Sequence, residues 1–235
     1  MPIRILIVGF VLALPSLARA QALPSPWTHQ DIGATGAAGD ATYSNGTVTV
    51  RGAGADIWGG ADAFQFVYQP ISGDAEIVAR VVTIQNTHTF AKAGVMLREA
   101  LTAGSRHVIL DARPGGAVEF MTRQATDDST QYLAGDTQAA PAWLKLARTG
   151  ASVVTSVSAD GATWRPVGTT SLSTTGTVYI GLAVTSHVDG TLNSSTFDNV
   201  TVTTAGSPVC GPGALPSPWA DQDVGATGLP GCASH

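Results

Sequence analysis

The carboxylates of this sequence are too scattered to favour an enzyme. Only three glutamates occur, Glu76, Glu99 and Glu119, and no Glu-x-Asp-x-Glu alternation places carboxylates together on one strand. Glycoside hydrolases need two carboxyl groups about 5–10 Å apart, one acting as acid and the other as base or nucleophile. A pairing of Glu119 with Asp111 across neighbouring strands could meet that requirement. We therefore expect no enzyme, with weak glycoside hydrolysis as the third-ranked function.

Nucleophilic and phosphate-handling chemistry is not favoured either. None of the five histidines accompanies a nucleophile elbow or a similar local signature. These histidines are His29, His88, His107, His187 and His235. The stretch Gly52-Ala53-Gly54 lacks a later glycine and a following helix, so it indicates a turn rather than a phosphate loop.

A ligand-binding face is the stronger expectation, because long polar side chains recur at outward positions of the predicted central strands. Carboxylate and guanidinium groups there could form hydrogen bonds with paired sugar hydroxyls. The polar candidates are Arg80, Arg98, His107, Asp111, Glu119 and Arg123. Polar residues on any half-exposed strand produce the same pattern, so a plain solvated face remains the alternative.

Aromatic side chains are the second kind of sugar contact, because an exposed ring offers a flat apolar platform. Trp58 lies between Gly54 and the pair Gly59-Gly60, and it is the best candidate for such a platform. His187, in the loop after the strand that ends near residue 184, could line the same rim. A solvated loop histidine is the alternative for His187.

The composition excludes several classes of protein. Apolar residues make up 44% of the chain and charged residues only 12%, with 27 glycines. This is too apolar for a disordered chain and too poor in Glu and Lys for a helical bundle. The net charge of −5 provides no positive surface for nucleic acid or for an anionic membrane.

Hydrophobic periodicity predicts an all-β fold, because apolar residues alternate with a period of two. Turns rich in Gly, Asn, Asp or Pro separate the strands. The predicted strands are 47–51, 63–68, 76–82, 93–98, 106–112, 117–123, 143–148, 153–158, 163–167, 178–184 and 195–202. We expect a two-sheet antiparallel β-sandwich of jelly-roll type, with one curved, concave sheet that suits an extended sugar chain.

The first twenty residues predict export. Arg4 precedes an apolar run over residues 5–17, and Ala18-Arg19-Ala20 resembles a signal-peptidase site. The run is shorter than the roughly 20 residues that a membrane span needs. We expect a secreted, extracellular protein without a membrane anchor after cleavage, with the periplasm as the alternative. In an oxidising compartment Cys210 and Cys232 are expected to form a disulfide.

An internal repeat sets the domain organisation. Residues 23–43 and 215–235 are identical at thirteen of 21 positions, at a constant offset of 192. A Gly- and Pro-rich stretch, 205–214, precedes the second copy and is typical of a linker. We therefore expect a signal peptide (1–20), a sandwich (21–204), a linker (205–214) and the truncated start of a second copy (215–235). Further copies of the same module are potential partners.

Six motifs occur in an order that is typical of one family. They are Asp56-Ile57-Trp58-Gly59, Phe66-Val67-Tyr68-Gln69-Pro70, Lys92-Ala93-Gly94-Val95-Met96-Leu97-Arg98-Glu99, Ser158-Ala159-Asp160-Gly161-Ala162-Thr163-Trp164, Gly181-Leu182-Ala183-Val184-Thr185-Ser186-His187 and Phe197-Asp198-Asn199-Val200. With these motifs the chain resembles the concanavalin A-like domains of the DUF1349 type, also labelled "regulation of enolase protein 1"-like. These domains are similar to the C-terminal sandwich of some β-xylosidases and accompany secreted bacterial proteins. The resemblance implies a curved jelly roll, an accessory role and contact with a glycan or a cell-surface polysaccharide. It implies no defined activity.

The leading expectation is thus a secreted, non-catalytic carbohydrate-binding module. A structural or adhesion repeat of a larger extracellular protein is the second. No cofactor is expected. Calcium often binds sandwiches of this kind through oxygen ligands such as those of Asp40, Asp74, Asp198 and Asn199, but no Asp-x-Asp-x-Asp-Gly loop is present.

Overall fold

The computed structural model describes residues 21–204, and the regular structure in this range consists of fourteen β-strands without a helix. In chain order the strands are β1 (Thr28–Ile32), β2 (Asp40–Ser44), β3 (Thr47–Gly54), β4 (Phe64–Ser72), β5 (Ala75–Ile84), β6 (Lys92–Arg98), β7 (His107–Ala112), β8 (Ala117–Arg123), β9 (Gln131–Thr137), β10 (Ala142–Thr149), β11 (Ser152–Ser158), β12 (Arg165–Ser171), β13 (Thr177–Thr185) and β14 (Val188–Thr204). The expectation of an all-β fold is confirmed.

The strands form two antiparallel sheets of seven strands each. The front sheet has the order β1-β4-β13-β6-β7-β8-β9, and the back sheet has the order β12-β11-β10-β5-β14-β3-β2. The two sheets are packed face to face around a shared core and are not closed into a barrel. The predicted two-sheet sandwich is therefore confirmed.

The core between the sheets follows from the period-two pattern of the sequence. On β5 the residues Ala75, Ile77, Ala79 and Val81 are buried, while the residues between them are partly exposed. Facing residues of β6, β7 and β8 provide the other half of the core. Burial of each Val, Leu or Ile side chain contributes about 1.5–3 kcal/mol relative to exposure.

The central strands of the front sheet are buried on both faces. All residues of β6 and β7 are buried, although strict alternation would leave every second one in solvent. The outer face is covered over part of its length by the loops before β4 and after β6, which contribute Ile57 and Leu101 to a second apolar cluster with Phe64, Phe66 and Met96. The uncovered part of this face holds the candidate site.

Three strands were not predicted, and one begins two residues later than predicted. β1, β2 and β9 are edge strands, and β9 exposes or half-exposes every residue, so it carries no alternating apolar pattern. β12 begins at Arg165 rather than at residue 163, because Asp160 accepts backbone hydrogen bonds from Ala162 and Thr163 and holds these residues in the preceding turn. Hydrophobic periodicity cannot detect a strand whose two faces are equally exposed to solvent.

The expected signal peptide (1–20), linker (205–214), second copy (215–235) and Cys210–Cys232 disulfide lie outside the described residues. Within residues 21–204, no helix is long and apolar enough to cross a membrane.

Candidate functional site

A groove of about 460 Å³ opens on the uncovered part of the front sheet's outer face. Strands β6 and β8, edge strand β9 and the loops before β4, before β6 and after β13 provide its walls. Its lining consists of Asp56, Trp58, Phe90, Lys92, Glu119, Met121, Tyr132 and His187.

Exposed aromatic rings are concentrated in this groove. Among residues 21–204 five large apolar side chains are exposed, and three of these, Trp58 (46%), Phe90 (43%) and Tyr132 (54%), line the groove. Exposure of a large ring costs solvation free energy that burial would recover. Three such rings around one concavity therefore indicate a surface that binds a partner with flat apolar faces.

One wall of the groove is organised by a carboxylate. Lys92 Nζ lies 2.6 Å from Asp56 Oδ1, and His187 Nδ1 lies 3.2 Å from Asp56 Oδ2. Asp56 Oδ1 also accepts the backbone N–H of Ile57. His187 has a φ of +56°, a conformation that non-glycine residues rarely adopt, and such residues cluster at functional sites.

The neighbouring wall carries a second ion pair and a stack of rings. Arg113 Nη1 donates to Glu119 Oε1 at 2.9 Å, and its guanidinium lies 4.2 Å from the ring centroid of Phe90. His88 stacks on His187 with centroids 4.3 Å apart, and Phe90 lies beside both imidazoles. These contacts hold the Phe90 ring in place while almost half of it remains open to solvent.

Asp111 lies beneath the groove rather than in it. It is directly opposite Glu119 in the β7–β8 register and opposite Gly94 in the β6–β7 register. Its side chain is fully buried, and within the described residues neither oxygen has a hydrogen-bond partner. Burial raises the pKa of Asp111 well above its ordinary value, opposed by the charge of Lys92. The predicted pairing of Asp111 with Glu119 is present, but only Glu119 reaches the groove.

A buried charge cluster, consisting of Asp62, Arg98, His107 and Arg123, lies at the covered end of the same face. Arg123 donates two hydrogen bonds to the carboxylate of Asp62, of 2.6 and 2.9 Å, and Arg98 Nη1 lies 3.4 Å from Asp62 Oδ2. All four side chains are fully buried. Burial, and then the two guanidinium charges, hold the pKa of His107 well below its ordinary value, so His107 is neutral.

The cluster ties together the loops that hold the aromatic rings. Arg123 donates to the backbone carbonyls of Gly59 and Asp128, both at 2.8 Å, and the N–H of Thr130 donates to Gly59 O at 2.8 Å. Gly59 follows Trp58 directly, and Thr130 precedes the strand that carries Tyr132. Arg123 is therefore a positioning residue for two of the three exposed rings.

The predicted ligand residues that lie on this face fall into two groups. Trp58, Glu119 and His187 line the groove. Arg98, His107, Asp111 and Arg123 lie on the same face, but their buried side chains do not reach a ligand there. Arg98, His107 and Arg123 lie under the covering loops and Asp111 lies beneath the groove, so the structure does not bring these four side chains to its surface.

Arg80 was wrongly placed on the same face. It lies on β5 of the back sheet, where its guanidinium donates two hydrogen bonds to the carboxylate of Asp198 and lies over the ring of Trp143. The prediction assumed that consecutive strands pair, whereas the chain crosses from the back sheet to the front sheet between β5 and β6. The hydrogen bonds from Arg80 hold the pKa of Asp198 below its ordinary value.

Sequence reasoning missed Asp56, Phe90, Lys92 and Tyr132. Phe90 and Tyr132 carried a usable signal, because each is a large ring next to a turn-rich segment. Asp56 and Lys92 are 36 residues apart, and only the packing of the loop before β4 against the sheet brings them together.

Within residues 21–204, no group of three or more His, Cys, Asp or Glu side chains is arranged to hold a metal ion.

A second cavity, of about 480 Å³, opens at the other side of the sandwich beside β2 and β3. Trp27 and Tyr43 line it, but both rings are half-buried and pack against the main core. The polar residues there include Asp198, which is already engaged by Arg80. The groove is therefore the better candidate for a ligand site.

Comparison with protein families identifies most of the described chain. Residues 43–205 match the family model described as "Protein of unknown function (DUF1349)". This range contains every residue that lines the groove and excludes β1. Comparison with curated proteins gives no match.

Comparison with solved structures gives matches at low sequence identity. A functionally unknown protein from Saccharomyces cerevisiae is 16% identical, with 71% of this chain and 92% of that chain covered and a TM-score of 0.56. The carbohydrate-binding module CBM66 from Bacillus subtilis is 16% identical, with 81% and 100% covered and a TM-score of 0.47. Xylan β-1,4-xylosidase from Bacillus halodurans C-125 is 15% identical, with 65% and 32% covered and a TM-score of 0.48. The likeness to the yeast protein shows a shared fold.

Proposed function

Since the chain belongs to the DUF1349 family, whose description names no activity, we propose from the groove itself that the protein is a non-catalytic carbohydrate-binding module. The observation that carries this proposal is the convergence of Trp58, Phe90 and Tyr132, three exposed rings, on one concavity. Pyranose and furanose rings present flat C–H faces that pack on aromatic rings and hydroxyl edges that need polar partners.

The charges of the groove favour a neutral saccharide. Lys92 is paired with Asp56, and Arg113 is paired with Glu119, so each cation in the walls has its own carboxylate. A free cation, as an anionic sugar would require, is not present among the described groove residues. Paired charged groups still offer further donors and acceptors for hydroxyl groups.

The burial and ion pairing of the carboxyl groups in and beneath the groove support a role in binding rather than in hydrolysis. A glycoside hydrolase needs a protonated carboxyl that reaches the glycosidic oxygen. Asp111 has the raised pKa of such an acid, but its side chain is fully buried. Asp56 and Glu119 reach the groove, and a neighbouring cation holds each of them as part of an ion pair.

Export belongs to the same proposal. The apolar run over residues 5–17 and the Ala-Arg-Ala stretch after it support a cleaved signal peptide and a place outside the cell, where polysaccharides are the abundant ligands.

The test is a glycan array probed with the chain from residue 21 onwards. We expect binding to neutral glycans in preference to sialylated or sulfated ones, and Trp58→Ala is expected to weaken it by at least about tenfold, the loss of about 1.4 kcal/mol of ring contact.

The matched control is Trp164→Ala, which removes the same side chain from the turn before β12, where Trp164 lies under Lys145 of the back sheet. We expect this variant to bind as the wild type does. Absence of binding to every glycan, or equal losses in the two variants, would contradict the proposed function.

A further inference from the structure

The first strand of the front sheet, β1, occupies an edge position. Within residues 21–204, β1 pairs with β4 alone, and its five residues lie opposite 64–68 of that strand. An edge strand can be exchanged without opening the rest of a sheet, because one row of hydrogen bonds attaches it.

The contacts that hold this segment are specific. Ile32 is fully buried in the outer-face cluster, and Leu23 and Trp27 pack against the main core. Tyr68 Oη donates to Gln30 Oε1 at 3.1 Å, and the carboxylate of Asp31 accepts the N–H of Gly39. Thus the segment is fixed by a few side chains rather than by the whole of its sequence.

Two glycines in the segment are required by the space around them. Gly33 has a φ of +71°, and a Cβ there would lie 2.0 Å from the carbonyl oxygen of Asp62. Gly36 has a φ of +72°, and a Cβ there would lie 2.6 Å from the backbone nitrogen of Gly190. Any other residue at either position would strain the segment.

Residues 215–228 repeat residues 23–36 and retain these determinants. Eleven of the fourteen positions are identical, and the three differences are Thr28 to Ala220, His29 to Asp221 and Ile32 to Val224. Positions 28 and 29 are exposed, and valine retains most of the apolar volume of isoleucine at the buried position. The hydrogen bond of 2.9 Å between Gln65 Nε2 and His29 Nδ1 is the one side-chain contact of these three positions whose imidazole the second copy lacks. The counterparts of the contact residues are Leu215, Trp219, Gln222, Asp223, Gly225, Gly228 and, for Gly39, Gly231.

The end of the sandwich is in the right place for such an exchange. Thr204, the last residue of β14, pairs with Ala75, which directly follows the β4–β5 turn. β1 begins opposite Tyr68, at the middle of β4 and four residues before that strand ends at Ser72. The ten residues 205–214 can span up to about 33–36 Å, while the two sheets are only about 10 Å apart.

We propose that residues 215–228 are an alternative first strand, which takes the place of residues 23–36 along β4 in the same chain when that segment leaves. The exchanged form is a circular permutant of the same sandwich, with its first strand supplied from the C-terminal side. A chain that loses its N-terminal segment to proteolysis therefore keeps its front-sheet edge covered.

The test uses point variants of the chain from residue 21 onwards, so that no segment is deleted. Gly33→Val blocks the first segment, Gly225→Val blocks the second, and the double variant blocks both. We expect each single variant to unfold within a few degrees of the wild type, about 2–4 °C, and the double variant to lose about 10 °C or more.

Gly46→Val is the matched control for strain alone, because Gly46 also has a positive φ but a Cβ there meets nothing within 4 Å. Combined with Gly33→Val, it is expected to give an additive loss. Light scattering should show monomers throughout. If Gly33→Val alone unfolds as early as the double variant, or if it is a dimer, the intramolecular exchange is refuted; neither result bears on saccharide binding.

Discussion

Trp58, Phe90 and Tyr132 come from three different segments of the chain, and each is held by different neighbours. Phe90 is fixed by Arg113 and His187, whereas the loop of Trp58 is fixed through the carbonyl of Gly59. Because the rings are supported independently, removal of one should leave the others in place. Single substitutions are therefore informative at this scale.

Asp111 allows a test of the electrostatics beneath the groove. Burial raises its pKa in the folded chain, so above the unfolded pKa of about 3.9 the native state binds more protons than the unfolded state. Stability is therefore lost as pH rises. Asp111→Asn removes this cost, and its gain in unfolding free energy should grow from about pH 4 upwards by at most about 1.4 kcal/mol per pH unit.

Urea denaturation of both proteins over a series of pH values measures this gain. Asp189→Asn, at an exposed position near the start of β14, is the control and should show no comparable growth. A constant difference between Asp111→Asn and the wild type at all pH values would mean that Asp111 is ionised in the folded protein.

At the scale of elements, the loops rather than the strands make the site. The buried charge cluster connects the loop before β4 with the segment between β8 and β9 through backbone carbonyls. Lysine at position 123 would keep one charge but lose the fork of donors that reaches Asp62, Gly59 and Asp128 together. The loops would then open more often, although the sheets would stay formed.

We therefore predict that Arg123→Lys speeds amide hydrogen exchange at Thr130 and Asp127 by at least about tenfold and weakens saccharide binding. The N–H of Thr130 donates to Gly59 O, and the N–H of Asp127 donates to Gly104 O. Arg165→Lys, at a partly exposed pair with Asp136, is the control. Unchanged exchange at both amides would show that Arg123 stabilises the core without positioning the loops.

The strands and loops also explain which parts of the fold and of the groove could be predicted from the sequence. Strands with one wet face were predicted because their alternation is clean, as on β5 and β10. Trp58 and His187 were found because glycine-rich or loop context marks them, while Phe90 and Lys92 needed the loop before β6 to be folded against β13. Arg98, His107 and Arg123 were misassigned because polar residues that face a covering loop have the same sequence pattern as polar residues that face water.

At the scale of the whole molecule, the two sheets have different outer surfaces. The front sheet carries a buried charge cluster at one end of its outer face and an aromatic groove at the other. On the back sheet, Arg80 and Lys145 lie over the rings of Trp143 and Trp164, so cations cover the aromatic surface there. Only the front sheet leaves a cluster of open rings among the described residues.

The most direct test is a titration of the ¹⁵N-labelled chain with the strongest glycan from the array, followed by two-dimensional NMR. We predict that the shifted amides cluster at residues 56–59, 88–92, 119–121, 130–133 and 187, which surround the groove. Shifts that centre instead on the cavity beside Trp27 and Tyr43, or on the back sheet around Trp143, would contradict the assignment of the ligand site to the groove.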